Sequence, residues 1–581
     1  MDRAIIRIMR CRFESFQGLF KMEKYIINFL DDFFRKQEIN INKKKILEIV
    51  EIPPSPNLGD YAFPCFILSK ELKKSPDKIA EDFSSKMKPI KEIEKIESNG
   101  PYLNFFINKK IYSQKILYKI LNQKTRYGFN DKGKKKIFAI EFSSPNIAKP
   151  FGIGHLRSTL IGNSISNILE SQGYKILKIN YYGDWGTPFG KILLGYKKYG
   201  KFRKTIKDPI KYMLDLYIKI NEDPSLENEA RNEFKKLERG DKKSKKIWSK
   251  FKDLSIKEFN KIYNFFNITF DYSEGESLYH NSQKILDKLN RKKFIVESEG
   301  ALIVDLEKFQ LGIVLLRKTD RTTVYAARDL VALLERKKKY KFDMILYETG
   351  SEQNLYFKQI FKIIELLGYK WSKECYHISH GLYLDKDGKK FATRKGKTVL
   401  MEEIINKTKN LVKKELTKRD KSLTKKELDK KTNIISRAAI IYGDLKSYRE
   451  KYILFDIKKF IDFNGNTGPY LLYSFARASS ILKKSKKKPK VNVQLLQENE
   501  YNFIKELDKF QEIVERAADK FDPSLICNYI CYISQLFNEF YHTDRVLGSE
   551  NEEFKLSIIE SFRIVLRNGL SLLGIEALEK M

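Results

Sequence analysis

The chain has 581 residues, of which 42% are hydrophobic and 32% are charged, the balance of a soluble globular protein with room for several domains. It contains no CxxC pair, no zinc-ligand spacing and no apolar run long enough to cross a bilayer, which excludes disulfide-stapled, zinc-ribbon and membrane-spanning classes. Lys and Arg number 112 against 75 Asp and Glu, and this net charge of +37 fits either a polyanionic partner or a general enrichment in lysine.

The first residues, MDRAIIRIMRCRFESFQGLFK, carry several arginines but no hydrophobic stretch followed by a cleavage site, so they do not predict a secretory signal. An organellar presequence is a weak alternative, because Asp2 and Glu14 interrupt the pattern. Met22 precedes a helical segment and is an alternative start of translation. We therefore expect a cytoplasmic, reducing location.

Residues 1–130 are predicted to form an α+β unit. A helix is expected near 23–36, and the segment SNGPYLNFFIN at 98–108 predicts a turn at Gly100 and Pro101 followed by a strand.

Residues 131–400 alternate short apolar runs with helical patterns, which predicts an α/β unit with a Rossmann-like parallel sheet. The highly charged region 200–300 is mostly helical in pattern, and we interpret it as an insertion between two halves. Strands are expected at 137–142, 176–182, 301–304, 313–316, 322–325 and 344–347.

Residues 401–581 show helical periodicity throughout, which predicts an all-helical C-terminal bundle. The basic run KKSKKKPK at 483–490 is interpreted as a solvated connection, with an RNA clamp as the less favoured alternative. Helices are expected at 433–447, 468–483, 500–519, 524–541 and 553–572.

The strongest chemical signal is the segment EFSSPNIAKPFGIGHLRST at 141–159. A buried strand ends there, proline and glycine break the chain, and apolar residues recur at helical spacing after His155. His155 therefore stands at the mouth of a helix, where free N–H groups and the helix dipole favour an anion. This arrangement suits a nucleotide phosphate.

Two further segments are expected at the carboxyl ends of the strands, where open α/β sheets bind ligands. They are the Gly-rich loop 183–190 and the segment 325–329 together with Gln353. We predict that both meet the loop 143–155 in a single cleft.

A family resemblance rests on these same residues. Gly154 and His155 match the second half of the His-x-Gly-His signature of class I aminoacyl-tRNA synthetases, and the surrounding SSPN, AKPF and GHLRST segments resemble arginyl-tRNA synthetases. The loop KKFATRKGKTV at 389–399 is similar to a degenerate form of the family's second signature, with Thr393 in place of its second lysine. The resemblance implies that Lys149 compensates for that lysine.

The resemblance implies a monomeric ligase that joins L-arginine to tRNA(Arg) through an arginyl adenylate, using ATP with its magnesium, and that activates arginine only when tRNA is bound. It implies no membrane partner and no metal held by protein ligands alone. The first step needs positioning and neutralisation of phosphate charge. The expected catalytic residues are His155, Lys149, Lys395 and Arg394, and those expected at ATP are Gly152, Gly154, His155 and Thr393.

Arginine selection calls for a carboxylate, because a carboxylate accepts two parallel N–H bonds from a guanidinium. Asp329 is the candidate, and its alternatives are a helix N-terminal acid or a surface pair with Arg328. By resemblance, the residues expected to hold arginine are Glu141, Ser143, Asn146, Tyr325, Asp329 and Gln353.

Both end units carry segments that resemble the family's tRNA-binding domains, namely SNGPYLNFF in the first unit and NTGPYLLYSFARAS in the bundle. Tyrosines of the second segment are suited to stack on splayed bases. The residues expected to contact tRNA are Asn99, Tyr102, Asn104, Tyr470, Tyr473, Arg477, Tyr541 and Met581.

Two departures from the family pattern keep alternatives open. Gly152 replaces the first signature histidine, and Tyr356 stands where many relatives place a histidine. Gly152 favours a catalytically inactive RNA-binding relative as the second hypothesis. A small-molecule nucleotidylyltransferase is the third, and the helical C-terminal unit argues against it.

Overall fold

A computed structural model describes residues 21–200, 208–279, 281–320, 322, 324–385, 387–389, 400–462, 465–543 and 545–581. Thr393, Arg394 and Lys395, expected at the nucleotide, lie outside these ranges. Within them, no helix is long and apolar enough to cross a membrane. The same ranges contain no cluster of three or more side chains that could hold a metal ion.

The N-terminal unit is a three-stranded antiparallel sheet covered by helices. The expected turn is present, since Gly100 adopts a left-handed φ of +56° between two paired strands. The central strand is Tyr102–Ile107, flanked by Tyr61–Pro64 and Ile93–Asn99. The helices are Lys21–Lys36, Lys43–Ile49, Ser69–Leu72, Pro76–Lys86 and Lys109–Gln123.

The central unit contains the expected parallel sheet, with five strands. Its spatial order is Cys375–His380, Met344–Gly350, Ile137–Glu141, Lys175–Tyr182 and Tyr272–Gly275, every neighbouring pair being parallel. The carboxyl ends of these strands therefore share one edge. The associated helices are Ile153–Ser171, Thr187–Tyr199, Tyr325–Tyr340 and Asn354–Leu366.

Sequence patterning missed the two edge strands, Tyr272–Gly275 and Cys375–His380. Edge strands are short and tolerate polar residues, so YSEG and CYHISH lack the apolar run that marks an inner strand. Tyr272–Gly275 therefore pairs a segment of the insertion with the strand Lys175–Tyr182 of the sheet. The insertion's other elements are the helices Pro209–Asn221, Glu227–Glu238, Lys242–Phe266 and Gln283–Arg291.

A small antiparallel sheet precedes the helix that carries Asp329. Its strands are Ile295–Ser298, Ala301–Asp305 and Ile313–Arg317. The expected strand at 322–325 is wrong, because Tyr325 is already the first residue of the helix Tyr325–Tyr340.

The C-terminal unit is helical apart from Ile453–Leu454, which pairs in parallel with Tyr383–Leu384. The segment expected as one helix at 500–519 is two helices that meet at Lys509. The helices are Met401–Arg419, Lys425–Leu445, Ile457–Phe460, Gly468–Lys484, Glu498–Asp508, Phe510–Lys520, Ser524–Thr543 and Glu552–Leu572.

The bundle packs against both other units. Tyr127 stacks on Phe510 with ring centroids 6.2 Å apart, which joins the bundle to the end of the N-terminal unit. The Ser164 hydroxyl donates to the Leu572 carbonyl at 3.1 Å, which joins the bundle to the helix that begins beside His155.

Candidate active site

The loop after the strand Ile137–Glu141 follows a strained path. Ser143, Ser144 and Ala148 have φ values of +72°, +44° and +61°, a left-handed region that non-glycine residues adopt at a cost. Hydrogen bonds hold this path: the Ser143 N–H donates to Ser158 Oγ at 2.9 Å and the Ala148 N–H donates to Ser255 Oγ at 3.0 Å. The loop is therefore pre-shaped by the helix Ile153–Ser171, which we call the signature helix, on one side and by the insertion on the other.

His155 lies in the first turn of the helix Ile153–Ser171, as the sequence predicts. Its Nδ1 accepts the N–H of Gly152, the N-cap residue, at 3.3 Å. An acceptor at Nδ1 leaves the proton of the neutral ring on Nε2. Burial and the nearby charge of Lys149 lower the pKa of His155 to about 4, so the ring is a neutral donor at physiological pH.

Gly154 opens the helix N-terminus to the cleft. A methyl group placed at Gly154 would meet no atom within 4 Å. Lys149 is exposed and lies close enough to His155 to lower the pKa of that ring. A ligand that approaches here meets helix N–H groups, an imidazole and an ammonium group.

The end of the second signature loop lies beside the first signature. Leu400, which follows residue 399 directly, forms an antiparallel bridge with Gly152. The Met401 N–H donates to the Phe151 carbonyl at 3.0 Å. The segment 390–399 is outside the described residues, and Leu400, the first described residue after it, pairs with the N-cap residue Gly152.

The loop at Gly183 meets the signature loop through backbone pairing. Asn146 bridges Gly183, and the Ile147 N–H donates to the Gly183 carbonyl at 3.1 Å. A side chain on Gly183 would lie 2.3 Å from Asn146 Oδ1, so it would displace the Asn146 amide. Ser143 is buried, and its hydroxyl lies 2.8 Å from the Tyr263 hydroxyl of the insertion.

A buried group of charges lies below this edge of the sheet. The Arg336 guanidinium, 1% exposed, donates to Glu141 Oε2 and, at 2.9 Å, to Glu274 Oε2. Its Nη2 has no hydrogen-bond partner among the described residues. Burial raises the pKa of Glu141 to about 7, although Arg336 acts in the opposite direction.

Asp329 lies on the same helix as Arg336 and faces the same charges. The Tyr356 hydroxyl donates to Asp329 Oδ2, and in the described part of the chain no lysine or arginine pairs with this carboxylate. Burial raises the pKa of Asp329, which the Tyr356 hydrogen bond and the charges of Arg328 and Arg336 oppose. The carboxylate is therefore a desolvated acid that has no cationic partner within the described ranges.

Both alternative interpretations of Asp329 are wrong. The helix begins at Tyr325, so Asp329 lies beyond its first turn and is not an N-terminal acid. Arg328 pairs instead with Glu276, at 2.7 Å.

Tyr325 stands beside the Asp329 site, and Gln353 lies three residues before Tyr356. Tyr325 is 56% exposed, and its ring lies 5.1 Å from that of Tyr356. Gln353 is exposed in the residues just before the helix Asn354–Leu366. Tyr181, on the inner strand Lys175–Tyr182, closes the site from below and lies close enough to Asp329 to lower its pKa.

The three N-terminal residues expected at tRNA share one face of the small sheet. Asn99 pairs across the strands with Tyr102, and Asn104 pairs with Glu97 in the same register. Asn99 and Asn104 line an open groove of about 430 Å³, which Asn57 and Phe106 also border.

Four residues of the bundle expected at tRNA also come together. Arg477 lies over the rings of Tyr473 and Tyr541, with its guanidinium carbon 4.7 Å and 5.1 Å from their centroids. Asn538 joins them, accepting from Arg477 and donating to the Tyr470 hydroxyl at 2.8 Å. We call these five residues the tyrosine–arginine face.

Met581, the remaining residue of that set, packs half-buried against the main hydrophobic core.

Sequence reasoning missed several side chains that build these sites. Arg336, Glu274 and Glu276 were not singled out, because the residues that bury them are distant in the sequence. The sequence marks Asn538 only as one polar position in an apolar helix. It marks Tyr356 only as a departure from the family pattern.

Profiles of known families match most of the chain. The arginyl-tRNA synthetase N-terminal domain matches residues 21–107, the class I (R) tRNA synthetase catalytic domain matches 116–457, and the DALR anticodon-binding domain matches 471–581. The parallel sheet, the signature helix and the helical bundle therefore belong to a class I aminoacyl-tRNA synthetase.

The particular family follows from relatives over nearly the full length. The chain is 39% identical over 556 residues to arginine–tRNA ligase of Clostridium beijerinckii, covering 94% of this chain and 98% of that one. It is 41% identical over 549 residues to arginine–tRNA ligase 1 of Bacillus cereus, covering 93% and 97%. The chain belongs to the arginyl-tRNA synthetase family, and it is an enzyme of translation that ligates arginine to tRNA.

A solved structure supports the same assignment. The arginyl-tRNA synthetase of Plasmodium falciparum superposes with a TM-score of 0.75 at 25% identity, covering 96% of this chain and 99% of that one. The Thermus thermophilus arginyl-tRNA synthetase, at 21% identity and a TM-score of 0.73, shares the fold.

Proposed function

We propose that the chain activates L-arginine with ATP and magnesium as an arginyl adenylate and passes the arginyl group to tRNA(Arg), with Asp329 as the residue that selects the guanidinium. The observation that carries this proposal is the Asp329 carboxylate, which is desolvated, is held by the Tyr356 hydroxyl and pairs with no lysine or arginine that the structure describes.

Charge balance explains why a guanidinium fits. Arg328 pairs with Glu276, and Arg336 pairs with Glu141 and Glu274, so both arginines already have acidic partners, and Asp329 has no ion pair within the described residues. A desolvated carboxylate gains most from a ligand that brings both a positive charge and two parallel donors. Lysine carries one compact charge and cannot form the fork, so it leaves an acceptor unpaired.

The α-amino and carboxylate ends of arginine are assigned to the residues before the signature helix. Glu141 offers an anionic partner for the ammonium, and Ser143 and Asn146 offer neutral hydrogen-bonding groups. These three follow one another at the carboxyl end of the strand Ile137–Glu141, near Asp329, whose charge raises the pKa of Glu141.

The phosphates of ATP are assigned to the helix N-terminus at Gly152 and Gly154, with His155 and Lys149 as donors. A carboxylate oxygen of arginine attacks the α-phosphorus, and the bond to pyrophosphate breaks. The neutral Nε2–H of His155 can donate to a phosphate oxygen as charge develops. Thr393, Arg394 and Lys395 are assigned to the same phosphates, because Leu400 pairs with Gly152.

Magnesium is assigned to the nucleotide rather than to a protein cage. Mg²⁺ commonly keeps several waters and binds substrate phosphates with few protein ligands.

Transfer to tRNA is assigned to all three units, with boundaries near residues 130 and 400. The sheet face with Asn99, Tyr102 and Asn104 is assigned to the tRNA elbow, and the tyrosine–arginine face and Met581 to the anticodon end. A ribose hydroxyl of the terminal adenosine attacks the arginyl carbonyl, and AMP leaves. We further infer a cytoplasmic monomer that needs tRNA before it forms the adenylate.

The test is ATP–pyrophosphate exchange and aminoacylation with each of the twenty amino acids, with and without tRNA(Arg). Arginine alone should be charged, and exchange should require tRNA. Asp329→Asn should raise the KM for arginine by about 10²-fold or more while the KM for ATP changes little.

The matched control is Asp253→Asn, which removes an exposed aspartate from the insertion helix Lys242–Phe266. Arginylation that survives Asp329→Asn unchanged contradicts the assignment of the guanidinium site. An unmodified chain that binds tRNA(Arg) but charges no amino acid establishes the inactive RNA-binding alternative, which Gly152 favours.

A further inference from the structure

Arg157 reaches out of the catalytic unit into the bundle. It lies two residues after His155 on the signature helix, and it is 1% exposed. Its Nη1 lies 3.4 Å from Asp444 Oδ1, near the end of the bundle helix Lys425–Leu445. Its Nη2 donates to the Arg449 carbonyl at 2.7 Å.

The third member of this cluster comes from the segment that leads to the second signature loop. The Tyr383 ring lies below the Arg157 guanidinium, with the guanidinium carbon 5.7 Å from its centroid. The Tyr383 hydroxyl donates to the same Asp444 Oδ1. Tyr383 and Leu384 then pair with Ile453 and Leu454 of the bundle, a few residues before the loop 389–399.

The backbone leaves little freedom at this junction. The Gly381 N–H donates to the Arg449 carbonyl at 2.9 Å. A side chain on Gly381 would lie 2.5 Å from the carbonyl oxygens of Glu450 and Lys451, so the two segments are in direct contact.

Two polar atoms of this cluster lack hydrogen-bond partners, which is unfavourable for a cluster whose role is only to stabilise the fold. Arg157 Nε and Asp444 Oδ2 are buried and have no hydrogen-bond partner among the described residues. Buried ion pairs of this kind often add little stability compared with apolar packing, and their best-attested use is to fix a register. Burial also raises the pKa of Asp444, which the charge of Arg157 opposes.

We propose that Arg157, Tyr383 and Asp444 are positioning residues for adenylate formation, which fix the two signature loops relative to each other and to the bundle. None of the three is assigned to a substrate. The first loop is anchored through the helix that carries His155, and the second through the segment that carries Tyr383. A small displacement of either loop misplaces the donors at the phosphates, which is costly in rate.

This inference rests on the proposed adenylate chemistry, and the experiment gives different results if the inference fails and if that chemistry fails. Single-turnover rates of arginyl-adenylate formation, and of transfer from preformed adenylate to tRNA, are measured for the full-length chain and for Tyr383→Phe and Asp444→Asn. Each variant should slow adenylate formation about 10–100-fold while the transfer rate and the tRNA dissociation constant change less than about threefold. Because the residues act as one unit, the double variant should lose little more than either single variant.

The control is Arg437→Lys, which alters another bundle contact, the hydrogen bond to the Phe265 carbonyl at 2.6 Å. It should leave both rates unchanged. If Tyr383→Phe and Asp444→Asn slow both steps equally, or slow neither, the positioning role is overturned. If the unmodified chain forms no adenylate in the presence of tRNA, the proposed chemistry itself fails. Tyr383→Phe removes a single oxygen atom, so it keeps the test valid if Asp444→Asn does not fold.

Discussion

The hydroxyl of Tyr356 donates a hydrogen bond to the carboxylate of Asp329, although the two residues lie 27 positions apart. Tyr356 lies in the first turn of its helix and Asp329 in the second turn of another, so the bond fixes the direction of the carboxylate. The residue that looked like a departure from the family pattern thereby becomes part of the proposed guanidinium site.

Tyr356→Phe should weaken arginine binding without affecting ATP. The change removes one hydrogen bond to a charged group, worth about 1.5–3 kcal/mol, so the KM for arginine should rise about 10–150-fold. Steady-state aminoacylation at varied arginine and at varied ATP measures this split. Tyr356→His keeps a ring donor and should recover part of the loss, whereas an equal change in both KM values contradicts the assignment.

The dependence on pH should report Glu141. Burial raises the pKa of this carboxyl to about 7, so its anion predominates above that pH and is lost below it. If the anion binds the ammonium of arginine, log kcat/KM for arginine should rise between pH 6 and about 7.5 and then level off.

Glu141→Gln should abolish this inflection and lower the plateau. Glu276→Gln is the control, because burial raises the pKa of Glu276 to about 7 as well. If the inflection disappears with Glu276→Gln but persists with Glu141→Gln, the titrating group is Glu276, and the assignment to Glu141 is wrong. His155, whose pKa is lowered to about 4, should contribute no inflection in this range.

Gly154→Ala should separate stability from nucleotide binding. The added methyl group meets no atom within 4 Å, so the melting temperature should stay the same or rise slightly. If ATP phosphates occupy that space, the KM for ATP should rise roughly tenfold. Gly468→Ala is the contrasting control, since its methyl group would lie 2.2 Å from the Ala438 carbonyl oxygen and should lower the melting temperature. An unchanged KM for ATP in Gly154→Ala argues against phosphates at this helix end.

Asn538→Ala should weaken tRNA binding specifically. Asn538 holds Tyr470 and Arg477 in place on the tyrosine–arginine face, and its loss should raise the KM for tRNA(Arg) about 5–30-fold. The KM for arginine at saturating tRNA should not change. Gel-shift or filter-binding titration gives an independent dissociation constant, and equal affinity in the variant excludes this face from the tRNA interface.

The sequence pattern predicted those helices and strands whose residues alone distinguish them from loops. The helix at His155 was predictable because proline and glycine precede a run of apolar residues at helical spacing. The inner strand Ile137–Glu141 was predictable because it is apolar and buried on both faces. The edge strand Tyr272–Gly275 was not, because its pairing with the Lys175–Tyr182 strand, rather than its composition, makes it a strand.

The sequence by itself determined the class of chemistry, since the signature segments and Asp329 carry it in their residue types and order. Only the tertiary structure decided which acids have an arginine partner, because Arg336 reaches Glu141 and Glu274 across long separations in the chain. It also decided that Leu400 lies against Gly152 and that Arg157 ends against Asp444. Contacts of this kind depend on how whole elements pack, and such packing leaves no local pattern for short-range reasoning to detect.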